Sequence, residues 1–267
     1  MLAHILFFFK EFKGSLFDKY YSNSRYLKIF QRMHMRFFAN YFESFNYYLK
    51  KKEIKKEIKK EILSSKDVDL SDLKLFGFAK LKKINLDDIN FIENINSNKT
   101  ITHNRVLSYQ DAYNFAEMQG YVDLVVKYFK TNRFFFDVVS WNTKVFTDRN
   151  AVKTSQWHRD RDGYKTIKFF ISLNNINIGQ GPTEYAIYSH RIKPIKFVPQ
   201  IRYKDPEVIK EFSIKKFMGE AGDCYVADTS GLHKGGLPTE SERNILVLCF
   251  YTGNIYWSEN TLPVSLN

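Results

Sequence analysis

The stretch Trp157-His158-Arg159-Asp160-Arg161-Asp162-Gly163-Tyr164-Lys165-Thr166-Ile167-Lys168-Phe169-Phe170 decides how this chain is read. His158 and Asp160 are two residues apart, so on extended backbone their side chains leave the same face and can meet one ion. Asp162-Gly163 signals a turn, and the run after it reads as a strand. A third candidate ligand, His233, lies far along the chain, just after the strand-like Asp223-Cys224-Tyr225-Val226-Ala227-Asp228 and before Gly235-Gly236. Two histidines and one carboxylate on one side of a metal leave open positions opposite, as iron(II) needs to bind a keto acid and oxygen together. A His-x-Asp pair by itself occurs by chance, and a histidine at a strand end is more often structural. The order of the elements around the pair has to carry the argument.

From Phe134 onward short runs rich in β-branched and aromatic residues dominate: FFFDVVSWNTKVF, YKTIKFFISL, TEYAIYS, DCYVAD and NILVLCFYTG. Turn signals such as Gly179-Gln180-Gly181-Pro182 and Gly222-Asp223 separate them. Many short strands at this spacing predict a jelly roll or barrel, and no long-period repeat suggests a solenoid. Before them, residues 110–130 read as one helix, with Ala112, Phe115, Ala116, Val122, Val125, Val126 and Phe129 as its apolar positions. The expectation is an α+β chain with a mainly β core, a cupin-like double-stranded β-helix preceded by a helical N-terminal segment. Residues 67–267 would form the jelly-roll domain and residues 1–66 the appended segment.

The N-terminal segment carries most of the charge. Residues 1–66 hold 15 Lys and Arg against 6 Asp and Glu, which is +9 of the chain's net +12. Residues 25–49 read as an amphipathic helix, with Leu27, Phe30, Phe38, Tyr41, Phe42 and Phe45 opposite Arg25, Lys28, Arg32 and Arg36. Gln31 and His34 interrupt its apolar side. Residues 51–62 repeat every four, putting Ile54, Ile58 and Ile62 on one edge of a solvated helix. Two readings stay open: the aromatic stripe packs on the β-domain, or the segment lies against anionic headgroups as a peripheral contact at the inner face of a membrane. No nucleic-acid module accompanies the charge, so a nucleic-acid partner is not expected.

With 267 residues, 44% hydrophobic and 17% aromatic, the chain has ample material for one sizeable core. Cys224 and Cys249 sit in apolar runs without metal spacing, which argues against a zinc site or a disulfide framework and for a reducing, cytoplasmic compartment. The apolar opening run, Leu2 to Phe9, is too short for a membrane span and has no cleavage site after it.

Four blocks in order raise the specificity of the reading. Over roughly residues 134–253 the chain resembles the phytanoyl-CoA dioxygenase-like family of iron(II)/2-oxoglutarate-dependent oxygenases. Trp157-His158-Arg159-Asp160 is similar to that family's WHxD. Gly181-Pro182 with Ser189-His190-Arg191 is similar to its NGPLxxxPGSH segment, and Gly222-Asp223 through His233 to its GDxxxFxxxxxH segment. Arg243 stands ten residues beyond that histidine.

The resemblance implies that His158, Asp160 and His233 hold iron(II). It implies that Arg243, entering the last core strand, pairs with the distal carboxylate of 2-oxoglutarate, a match suited to a planar guanidinium. Phe170 takes the place of the family's inward-facing aromatic. If it faces inward, Lys168 and Ser172 share its face, and Lys168 becomes a second cosubstrate or substrate contact, the alternative being a solvated strand lysine. O2 and 2-oxoglutarate would be consumed, and a carbon–hydrogen bond hydroxylated. Related halogenating enzymes have Gly or Ala where this chain has Asp160, so the carboxylate favours hydroxylation.

The chain departs from the pattern at Ile187 and Tyr188, which replace Pro and Gly, and at Lys234-Gly235-Gly236-Leu237, where small hydroxyl residues and an Asn are usual. The substrate is therefore only outlined. Arg159, Arg161, Lys165 and Lys168 around the pair suggest an anionic small molecule, or one linked to a lipid or glycan. The competing classes are a cupin-like metal-binding protein without oxygenase activity, which would not respond to 2-oxoglutarate, and a membrane adapter with a vestigial triad.

Overall fold

The structure is a computed structural model and describes residues 68–95, 99–145, 155–160, 165–192, 202–252 and 262–266. The helices expected over 25–49 and 51–62 and the turn at Asp162-Gly163 lie outside the described residues. In chain order the elements are α1 (Val68–Phe76), β1 (Phe78–Lys80), β2 (Ile92–Glu93), β3 (Ile101–His103), β4 (Arg105–Val106), α2 (Tyr109–Met118), α3 (Tyr121–Phe129) and β5 (Arg133–Thr143). There follow β6 (Lys165–Ser172), β7 (Thr183–Ala186), α4 (Asp205–Ile209), β8 (Ile214–Phe217), β9 (Cys224–Asp228), β10 (His233–Gly235), β11 (Arg243–Thr252) and β12 (Leu262–Ser265).

The run Ile245 to Tyr251 is apolar at every position because β11 is covered on both faces, the pattern of a central strand. It pairs antiparallel with β5 on one side and β6 on the other. The larger sheet runs β1-β9-β6-β11-β5-β12, with β3 also on β5, and the smaller runs β10-β7-β8. Two stacked antiparallel sheets in this order make the expected double-stranded β-helix.

Alternation along β11 sorts the two sides. Leu246, Leu248 and Phe250, with Ile167, Phe169 and Ile171 of β6, face outward to α2 and α3. Tyr121 of α3 stacks on Phe169 with ring centroids 4.4 Å apart. Ile245, Val247, Cys249 and Tyr251 face inward with Phe170. The smaller sheet closes over that inner face: Phe217 of β8 stacks on Tyr225 of β9 at 4.6 Å and meets Phe170 at 5.8 Å. Each fully buried aromatic of this kind contributes about 1.5 to 3 kcal/mol by burial.

The single helix expected over 110–130 is two. Gly120, at φ 74, takes the left-handed conformation that ends α2 and lets α3 start in a new direction. Only glycine adopts that backbone without steric cost, and Gly120 N–H still caps the carbonyl of Glu117. Among the described residues no helix is long and apolar enough to cross a membrane.

Candidate metal centre

Trp157 to Asp160 extend the smaller sheet by one short strand. His158 N–H donates to the His233 carbonyl and His233 N–H to the His158 carbonyl, both at 2.9 Å, a narrow reciprocal pair that sets the two imidazoles side by side. Their ring centroids are 4.3 Å apart. Asp160 N–H donates to Thr229 O at 2.9 Å, which brings its carboxylate to the same face. One donor atom from each of His158, Asp160 and His233 lies within 4.8 Å of the others.

The tautomers follow from the backbone. His158 Nδ1 is 2.8 Å from Gln156 O and His233 Nδ1 is 3.0 Å from Gly231 O. A carbonyl only accepts, so each Nδ1 carries the proton and each Nε2 keeps its lone pair toward Asp160, at 3.7 and 3.4 Å. A metal-ligating histidine is commonly oriented in this way. Burial, reinforced by His233, pushes the His158 imidazolium down to about 3, so the ring is neutral at physiological pH.

Burial works against the charge on Asp160, yet Lys168 and the two histidines outweigh it and hold the carboxyl well below its ordinary range. Lys168 Nζ stands 2.9 Å from Asp160 Oδ2, but the approach is off the axis of a hydrogen bond, and that buried oxygen has no hydrogen-bond partner among the described residues. Two imidazole lone pairs and a buried carboxylate whose Oδ2 has no hydrogen bond fit a first-row transition metal, with imidazole and carboxylate as its ligands. A buried carboxylate oxygen left without such a partner is costly.

Arg243, Lys168 and Phe170 are all on the inner face. Arg243 begins β11 in the same alternation as Ile245 and Val247, and it is 5% exposed. It donates from Nη1 to the carbonyls of Gly181 and Gly236, while its Nε has no partner among the described residues. Desolvation lowers the guanidinium to about 10, still a cation at neutral pH. Gly235 lies two residues beyond His233 on β10, on the same strand face, and a Cβ there would come 2.9 Å from Arg243 Nη2. Gly235 thus makes room for the arginine.

Of the basic residues expected around the triad, two point elsewhere. Arg159 is buried and spends Nη1 on the carbonyls of Ser189 and Ser230, at 2.7 and 2.6 Å. Lys165 falls on the outer face of β6 and donates to Phe129 O at the end of α3. Arg161 lies outside the described residues. Ser189 and His190 tie backbone together: Ser189 Oγ accepts from Leu232 N–H, and His190 Nε2 is 3.0 Å from Lys74 O.

Two participants have no sequence signal. Lys234, beside the ligand His233, points to the opposite face, pairs with Asp205 and, at 3.5 Å, with Glu184, and lies over the Trp157 ring at 5.2 Å. Trp157 Nε1 donates to the same Asp205 at 2.8 Å, so the segments bearing both histidines are tied from behind. The other is Arg202. Trp157 pairs antiparallel with Tyr203, which sets Arg202 opposite His158. A single pairing of this kind leaves no periodicity to read.

No family model matches the chain, and no curated protein matches it. Solved structures resemble it at low identity. One is the non-heme alpha-ketoglutarate-dependent epimerase SnoN from nogalamycin biosynthesis, 11% identical over 68% of this chain and 80% of that one, TM-score 0.49. A second is the non-heme alpha-ketoglutarate-dependent carbocyclase SnoK from nogalamycin biosynthesis, 12% identical over 77% of this chain and 98% of that one, TM-score 0.48. The third is AviO1 from Streptomyces viridochromogenes Tue57, 13% identical over 75% of this chain and 100% of that one, TM-score 0.45.

Proposed function

We propose that this chain is an iron(II)- and 2-oxoglutarate-dependent oxygenase of the phytanoyl-CoA dioxygenase-like kind, hydroxylating a carbon–hydrogen bond of an anionic small molecule or of one linked to a lipid or glycan. The observation that carries the reading is the pair of imidazoles held by backbone carbonyls at Nδ1, with both Nε2 lone pairs converging on Asp160. Bound there with 2-oxoglutarate and O2, iron supplies oxidation of the substrate carbon to an alcohol while 2-oxoglutarate leaves as succinate and CO2.

The chain's own residues do the rest. His158, His233 and Asp160 would hold the metal and supply imidazole and carboxylate ligands. Arg243 offers a buried, fixed cation to the distal carboxylate of 2-oxoglutarate, and burial strengthens that attraction because little water competes. Ile245, Val247 and Phe170 line the inner face and keep it dry. Lys168 holds Asp160 by an ion pair at Oδ2, 2.9 Å from its Nζ. As the resemblance implies, Asp160 would fill the place that a halide would take on the metal, which favours hydroxylation.

The test is turnover of 2-oxoglutarate to succinate and CO2 by the iron-loaded full chain under air. Release should depend on iron and vanish in His158→Ala and His233→Ala. Release at the wild-type rate in both variants, or no release under any loading, contradicts the reading.

A further inference from the structure

The two sheets are ordered the same way. The larger runs β9-β6-β11-β5, and the smaller runs β8-β7-β10, then residues 157–158, then residues 202–203. With β8 stacked on β9 at one side, residues 202–203 lie toward β5 at the other. This second side is the open edge of the β-helix. On its inner face β5 carries Phe135, Val139 and Trp141, all half-buried against Ile245, Val247 and Tyr251.

Arg202 stands at that edge. Residues opposite each other in an antiparallel pair share a face, so Arg202 follows His158 and His233 in one row toward the interior. Arg202 is exposed, and it makes no hydrogen bond or ion pair with a described residue. Arg159 is engaged by carbonyls and Lys168 by Asp160, so among the described residues Arg202 is a cation near the triad with its fork still to offer. Asp137 lies on the same inner face of β5, between Phe135 and Val139 and opposite Cys249, and its Oδ1 accepts from Val138 N–H at 2.8 Å.

We propose that Arg202 is a specificity-determining residue that binds a carboxylate or phosphate group of the organic substrate at the open edge between the sheets, with the adjoining apolar part of that substrate against Phe135, Val139 and Trp141. A guanidinium matches either oxyanion bidentately. This rests on the oxygenase reading for what happens to the bound molecule, but not for the binding itself.

Calorimetric titration of the full chain, loaded with Zn(II) so that no turnover occurs and measured with and without saturating 2-oxoglutarate, tests it. The probes are 4-phenylbutyrate, 4-phenylbutyl phosphate and the neutral 4-phenylbutanol. Wild type should bind at least one anion about tenfold more tightly than the alcohol, and the better anion identifies the group. Arg202→Ala should lose that preference and Arg202→Lys should regain part of it, with melting temperature, Zn(II) binding and 2-oxoglutarate binding unchanged because Arg202 is exposed. No preference for an anion in wild type, or an undiminished preference in Arg202→Ala, overturns the proposal. So does a loss of 2-oxoglutarate affinity in Arg202→Ala, which would assign the residue to the cosubstrate. If 2-oxoglutarate fails to bind wild type, the oxygenase reading falls, while the dependence of the probes on Arg202 is still read in its absence.

Discussion

Gly235 and Arg243 meet at the inner face of the β-helix, where a single added carbon on the glycine would approach Nη2 of the arginine to 2.9 Å. Gly235 continues the strand that begins with His233, so the candidate metal ligand and the candidate carboxylate anchor are set by one short piece of backbone. The cation is buried, its Nε is unsatisfied among the described residues, and its Nη1 is fixed by two carbonyls. Such a group is expensive to bury unless an anion completes it.

Two substitutions probe this contact. Arg243→Ala should weaken 2-oxoglutarate binding by about 2 to 5 kcal/mol, the usual cost of truncating one partner of a buried charge pair. Gly235→Ala should weaken it by about 1 to 3 kcal/mol, because the guanidinium has to shift in a packed interior. Both are read by titration of the Zn(II)-loaded chain with 2-oxoglutarate. Unchanged affinity in Arg243→Ala would move the anchor to another residue.

Acid should destabilise the metal-free chain earlier than carboxylates alone would. An unfolded chain protonates His158 as pH falls past about 6.5, whereas the folded chain resists until about 3. Across that window the unfolded state binds more protons, so stability is present above it and is lost as pH drops, by at most about 1.4 kcal/mol per pH unit. Asp160, whose carboxyl is depressed, adds its own loss only below its ordinary value near 3.8. Urea unfolding between pH 6 and pH 4.5 should therefore steepen with acid in wild type and be flatter in His158→Gln. Equal slopes would contradict the buried neutral imidazole.

The strands of the core were legible because β5, β6, β9 and β11 carry long apolar or alternating runs, and tertiary packing did not override them. His158 and Asp160 were legible as a pair because period two is a property of any extended backbone. Gly120 was the visible cause of the break between α2 and α3, yet a lone glycine in a helical pattern is tolerated often enough that periodicity ran through it. The three residues of β10 are too few to show alternation. The basic neighbourhood was misjudged at Arg159 and Lys165 because charge in a sequence has no direction: one side chain turned to the carbonyls of Ser189 and Ser230, the other to the end of α3. Arg202 was missed for the complementary reason. It reaches the triad only through the pairing of Trp157 with Tyr203, which joins segments 46 residues apart.

The central claim is that His158, Asp160 and His233 form one metal centre, and iron stoichiometry tests it most directly. The full chain should be loaded with iron(II) under anaerobic conditions, desalted and assayed for bound metal, alongside His158→Ala and His233→Ala. The account predicts about one iron per chain in wild type and almost none in either variant, since three-ligand sites of this kind lose the metal with one imidazole. One tightly held iron in both variants would contradict it.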